Sequence, residues 1–207
     1  FRSRRIVVAC GLVVAFMLLR SRDNSWPIIN ESPQGAAIVA FGDSLTSGYQ
    51  MAEADSYPAQ LSKLIGREVV NRGVSGDTST DGLARLDRDV LSENPRVIVL
   101  ALGANDMLRR LPLEDTFANL RRIIDRVQAR GALVVLIGVE GFPLVHGDYG
   151  KRYRDLARET GCVYVPDMLD GVLGDHTLMF DQFHPNAAGY ARIARRLESE
   201  AGQFIKR

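Results

Sequence analysis

From residue 36 onward, short apolar runs alternate with amphipathic stretches along the chain. The runs at 37–41, 68–71, 97–102, 132–138 and 162–165 are rich in Val, Ile, Leu and Ala and predict strands. Helical periodicity fills the gaps between them. It is seen at 57–65, at 81–92 with Leu83, Leu86 and Val90 on one face, and at 113–130 with Phe117, Leu120, Ile124 and Val127. It recurs at 149–159 and at 186–204, where Tyr190, Ile193, Ala194 and Leu197 point inward. The strand candidates are apolar nearly throughout rather than at every second residue, as strands covered on both faces are. Strand and helix therefore alternate as an α/β chain with a parallel sheet, and the predicted architecture is three-layer α/β/α. No internal repeat interrupts it.

In such sheets, ligands bind outside the carboxyl ends of the strands. The segments that follow the first four strand candidates are Gly42-Asp43-Ser44-Leu45, Arg72 to Asp77, Gly103-Ala104-Asn105-Asp106, and residues 139–148. Asp181-Gln182-Phe183-His184 comes after the last strand candidate and just before the last helix. All are expected at one rim. Taken singly, Ser44 reads as a cap or turn residue, Gly76 as a turn glycine, Asn105 as an Asx-turn residue and His184 as a helix-start histidine. Taken together they hold what acyl transfer demands. A hydroxyl nucleophile (Ser44) needs a base (His184), and the base needs an acid (Asp181) to fix its tautomer. The oxyanion needs donors, for which the backbone N–H groups of Ser44 and Gly76 and the amide of Asn105 are suitable. Ser44 does not lie in a G-x-S-x-G elbow, so the α/β-hydrolase signature is absent.

Composition narrows the picture further. A chain of 207 residues, 46% hydrophobic and 25% charged, suits one soluble domain, and 19 Gly and 8 Pro scattered along it exclude fibrous and disordered classes. Cys10 and Cys162 form neither a CxxC nor a Cys/His cluster, so the sequence offers no metal site and implies no cofactor. The net charge of +1 hides an asymmetry, because residues 1–22 hold five Arg and no acid. Setting these aside leaves 21 of the 26 basic residues against 25 acidic ones, about −4, which is no footprint for nucleic acid. The basic residues belong to a leader instead. Arg2-Ser3-Arg4-Arg5 precedes an uncharged stretch at 6–19, the pattern of a secretory signal. As a helix that stretch spans about 21 Å, short of the roughly 30 Å hydrocarbon core. Residues 1–22 are thus expected to act as an export signal or a marginal membrane anchor, making the protein periplasmic or secreted; a helix buried on the domain is the alternative. Cys10 lies inside the apolar run, which argues against a lipoprotein signal. Residues 23–35, polar with Pro27 and Pro33, read as a linker, leaving 36–207 as the folded domain.

Phe41-Gly42-Asp43-Ser44-Leu45, the block Asn71 to Thr78, Leu102-Gly103-Ala104-Asn105-Asp106 and Asp181 to Asn186 resemble, in order, the four blocks of the GDSL, or SGNH, hydrolase superfamily. The resemblance implies a flavodoxin-like sheet of five parallel strands. It also implies a catalytic Ser44, Asp181 and His184, with an oxyanion hole from Ser44, Gly76 and Asn105. Gly48-Tyr49-Gln50-Met51, the stretch from Gly76 to Leu86, and Tyr149-Gly150-Lys151-Arg152-Tyr153 look most like its small bacterial thioesterase, arylesterase and lysophospholipase branch. The expected activity is hydrolysis of a small-molecule ester or thioester. Residues 139–148 depart from the thioesterase pattern, and their apolar Phe142 and Leu144 are candidate substrate-binding residues. A carbohydrate O-acetyl esterase would use the same catalytic residues. A non-catalytic flavodoxin-like binding module for a phosphate or nucleotide would leave the catalytic set unexplained, and neither a P-loop nor G-x-G-x-x-G is present.

Overall fold

The structure is a computed structural model that describes residues 24–139 and 148–206. Five strands, β1 (Ala37–Gly42), β2 (Val69–Gly73), β3 (Pro95–Ala101), β4 (Leu133–Ile137) and β5 (Val163–Val165), form one parallel sheet in the order β2-β1-β3-β4-β5. The helices are α1 (Ser44–Ser47), α2 (Tyr57–Ile65), α3 (Ser79–Asp89), α4 (Ala104–Leu108), α5 (Leu113–Gln128), α6 (Tyr149–Thr160) and α7 (Ala187–Ile205). Helices α2 and α7 pack together, as do α3 with α5 and α5 with α6. With right-handed crossovers these groups cover opposite faces of the sheet, giving the three layers expected. Both-sided cover explains the apolar strands: Val97, Ile98, Val99 and Leu100 of β3 are fully buried. The stripe of α5 that faces the sheet is Phe117, Leu120, Ile124 and Val127, joined by Thr116 and Ile123.

Element edges differ from the sequence reading where local chemistry sets them. Helix α3 starts two residues before Asp81 because Thr78 and Asp81 form a capping box, each side chain accepting from the other's backbone N–H. The helix stops at Asp89 and gives way to a 3-10 turn over Leu91–Glu93. Asn186 is the cap of α7 rather than its first residue, its Oδ1 accepting from Ala188 and Gly189 N–H.

Residues 24–35, read as a linker, are held against the sheet's β5 edge and the neighbouring loops. The Asn24 side chain bonds both N–H and C=O of Tyr164, and Trp26 Nε1 donates to the Cys162 carbonyl at 2.8 Å. Asn30 Nδ2 donates to the carbonyls of Gln128 and Ala132, both at 2.9 Å. Side-chain amides thus satisfy backbone groups of an edge strand and its loops, which no hydrophobic period reveals. Residues 1–22 lie outside the described residues. Among the described residues, no helix is long and apolar enough to cross a membrane.

The sheet order places the site. The chain leaves β1 toward β2 on one side, then returns to lay β3 on the other side of β1. The carboxyl ends of β1 and β3 therefore flank a crevice where the connections diverge, the place at which α/β sheets bind ligands.

Candidate active site

Ser44 sits at the carboxyl end of β1, as the first residue of the single turn α1. The Asp43 carboxylate caps that turn, its Oδ1 accepting from Leu45 N–H at 3.0 Å. The turn lies tight on the sheet. A Cβ on Gly42 would come within 2.1 Å of Thr46 Oγ1 and 2.5 Å of the Ala101 carbonyl, so only glycine fits there. The partly exposed Ser44 side chain reaches His184, with Oγ 3.0 Å from Nε2.

His184 reaches Ser44 from the loop before α7. That loop is closed on itself: Phe180 N–H donates to the His184 carbonyl at 2.8 Å, and Met179 pairs with Pro185. The closure turns a three-residue spacing into a contact. His184 Nδ1 lies 3.0 and 2.9 Å from the two oxygens of Asp181. An ionised carboxylate accepts only, so the network assigns the proton to Nδ1 and leaves Nε2 to accept from the Ser44 hydroxyl. Asp181 Oδ1 also accepts from the Phe183 and His184 N–H groups, both at 2.7 Å. Burial pushes the Asp181 carboxyl up, but these amides and the imidazole outweigh it and hold the group below the usual carboxylate range. Tyr49 covers the imidazole, its ring centroid 4.2 Å from that of His184 and tilted by 31°.

Opposite Ser44 stand the loops after β2 and β3. Gly76 takes φ +87°, a conformation suited to glycine, and its carbonyl accepts from Arg109 Nη2 at 2.7 Å. Neither the Gly76 nor the Ser44 N–H has a partner among the described residues. Asn105 Nδ2 donates to the Asp77 carbonyl at 3.0 Å and to Asp43 Oδ2 at 3.3 Å. Among the described residues, three carboxylates beside these loops are buried. Asp77 is paired with Arg85 at 2.5 Å, and Asp106 accepts from Ser79 N–H, Ser79 Oγ and Thr116 Oγ1. Asp43, 2% exposed, faces no cation among its bonded partners, and burial pushes its carboxyl up to about 7.

Compared with known proteins, residues 40–192 match the model of the GDSL-like Lipase/Acylhydrolase family. The chain belongs to that family. It is 33% identical over 177 residues to an arylesterase of Vibrio mimicus, covering 79% of this chain and 86% of the relative. It is also 33% identical over 168 residues to the thioesterase 1/protease 1/lysophospholipase L1 of Escherichia coli K12, covering 76% and 79%. The crystal structure of TesA superposes with a TM-score of 0.72 at 30% identity, covering 82% of this chain and 99% of the other.

In this GDSL-like chain, Ser44, Asp181 and His184 form one line of contacts, and Asn105 joins the Ser44 turn through Asp43. Candidates Phe142 and Leu144 lie outside the described residues. Sequence reasoning gave no part to Tyr49, Asp43 or Arg109. An aromatic five residues after the serine was the available signal for Tyr49; the other two needed coordinates, because their partners are 62 and 33 residues away. The rim carries exposed apolar side chains: Val74 after β2, Leu108 and Leu111 after β3, and Phe180 and Phe183 beside Asp181. Among the described residues, no group of three His, Cys, Asp or Glu is placed to hold a metal ion.

Proposed function

We propose that this protein hydrolyses carboxylic esters and thioesters through an acyl-enzyme on Ser44. The reading rests above all on the unbroken line from Asp181 through His184 to Ser44, at 2.9 and 3.0 Å. Ser44 Oγ forms a bond to the carbonyl carbon as its proton passes to His184 Nε2. Asp181 holds the imidazole and balances its new charge. The backbone N–H groups of Ser44 and Gly76, with the Asn105 amide, receive the oxyanion. When the intermediate collapses, the bond to the leaving oxygen or sulfur breaks and His184 returns the proton to it. Water then attacks the acyl-enzyme, gives a proton to His184, and frees the acid as Ser44 regains its own.

The apolar rim supports a finer part of the proposal, that the favoured substrates are acyl or aryl esters, acyl thioesters or lysophospholipid-like amphiphiles rather than polar acetylated sugars. Exposed apolar side chains on the segments that carry the candidate catalytic residues are the kind of surface that receives an apolar ligand. The leader pattern at residues 1–22 supports export to the periplasm or medium. A fluorophosphonate should label Ser44 alone, and Ser44→Ala should abolish both labelling and p-nitrophenyl ester turnover. Labelling at another serine overturns the assignment. A panel of aryl ester, acyl-CoA, lysophospholipid and acetylated xylo-oligosaccharide tests the substrate class, and a highest kcat/KM on the sugar would reverse the finer reading.

A further inference from the structure

The Asn105 amide is oversubscribed. Its nitrogen carries two hydrogens, and in the free enzyme both are engaged, one by the Asp77 carbonyl at 3.0 Å and one by Asp43 Oδ2 at 3.3 Å. An oxyanion that takes a hydrogen from this amide must take it from one of these acceptors, and the longer bond, to Asp43, is the weaker. The other carboxylate oxygen of Asp43 is meanwhile committed to Leu45 N–H, next to Ser44. One buried side chain therefore holds the nucleophile turn with one oxygen and the side-chain oxyanion donor with the other. We propose that Asp43 is a positioning residue, which ties the Ser44 turn to the Asn105 amide and yields that amide's hydrogen to the oxyanion when the tetrahedral intermediate forms. The inference rests on the acyl-enzyme reading above.

The neighbours of Asp43 leave it suited to this exchange. The two carboxylates closest to it in charge, Asp77 and Asp106, are already satisfied by Arg85 and by Ser79 with Thr116, so neither competes for Asn105. Among the described residues, no Lys or Arg bonds Asp43 itself, which would hold the carboxylate against the swap. The shorter bond, to the Asp77 carbonyl, anchors the amide while it pivots to turn the other hydrogen from Asp43 to the oxyanion.

A double-mutant cycle on p-nitrophenyl acetate tests the coupling. Asp43→Ser keeps an oxygen to cap Leu45 but is too short to reach Asn105, and Asp43→Asn keeps the shape while placing an N–H where Oδ2 was. Removing an oxyanion donor costs about 10²–10³ in kcat. Misdirecting it should forfeit part of that, so each Asp43 variant should lose about tenfold or more in kcat with KM within about twofold. In an Asn105→Ala background the same substitution should cost less than about threefold, because the residue it positions is gone. An equal loss in both backgrounds, or no loss in either, overturns the proposal. If Asp43→Ser fails to give a wild-type circular dichroism spectrum, the Asn variant alone carries the cycle. Failure of the acyl-enzyme reading is told apart by the parent enzyme: it would show no turnover or no Ser44 labelling, whatever the Asp43 variants do.

Discussion

A buried carboxylic acid without a cation should destabilise this protein over much of the pH range, and Asp43→Asn should expose that cost. Burial raises the Asp43 carboxyl from an ordinary 3.8 to about 7 in the folded state. Below 3.8 both folded and unfolded chains are protonated there, and the group makes no difference. As pH rises toward 7 the unfolded chain ionises while the folded one stays neutral, so unfolding releases a proton and stability falls. Above 7 the loss is complete. From 3.8 to about 7, at about 1.4 kcal/mol per pH unit, the total is about 4 kcal/mol. That is a large fraction of the roughly 5–15 kcal/mol that holds a domain folded. The carboxamide has no such titration, but its N–H faces the Asn105 amide nitrogen, and an ill-matched buried polar group costs about 1–3 kcal/mol. The net gain at pH 8 should therefore be about 1–3 kcal/mol, with lower kcat. Carboxylates whose values are depressed, such as Asp89 and Asp155, act in the opposite sense and are common to both proteins. Urea unfolding of both proteins at several pH values between 4.5 and 8 isolates the Asp43 contribution as the difference between the two curves. That difference should move in favour of the variant by about 3–4 kcal/mol across the range. Parallel curves would refute the reasoning and show that the folded protein holds Asp43 ionised without penalty.

Asn105→Ala should lower kcat on aryl esters by about 10²–10³ with KM little changed, and full retained turnover would remove the amide from the site. His184→Ala should lose more than Asp181→Ala in steady-state assays, since without Asp181 the base is still present, on a backbone held by the bond from Phe180 N–H to the His184 carbonyl and under the Tyr49 ring; equal losses contradict that ranking. Tyr49→Phe should be near wild type in kcat/KM. Tyr49→Ala should lose about 2- to 12-fold, the worth of an aromatic pair of about 0.5–1.5 kcal/mol, and equal losses for the two would assign the effect to the hydroxyl. If the 139–148 stretch contacts substrate, replacing Phe142 and Leu144 with Ser should flatten the rise of kcat/KM from acetyl to octanoyl esters, against a parent rise of about fourfold per carbon.

Much of the candidate site was legible because its chemistry is written at strand ends. Ser44, Gly76 and Asn105 each follow a strand whose apolar run marks it, and Asp181 and His184 precede a helix marked by its period. The linker reading of residues 23–35 met a limit of the same method. Asn24, Trp26 and Asn30 dock through polar side chains onto backbone groups, an interaction with no hydrophobic pattern to announce it. The short helices α1 and α4 went unread because four or five residues are too few to show a period.

What the sequence by itself determined is the alternation of buried strands and one-faced helices, hence the parallel sheet, and the ordered set of polar residues at its rim. Those follow from local patterning and from the rule that consecutive strands in such a sheet end on one side. What only the tertiary structure decided is which of those residues touch. Asp43 and Asn105 are 62 positions apart, Ser44 and His184 140, and Tyr49 reaches His184 from a different loop. No period or spacing encodes such distances. They are set by the order in which strands lie side by side and by the steric need for glycine at Gly42, which lets the Ser44 turn lie tight on the sheet.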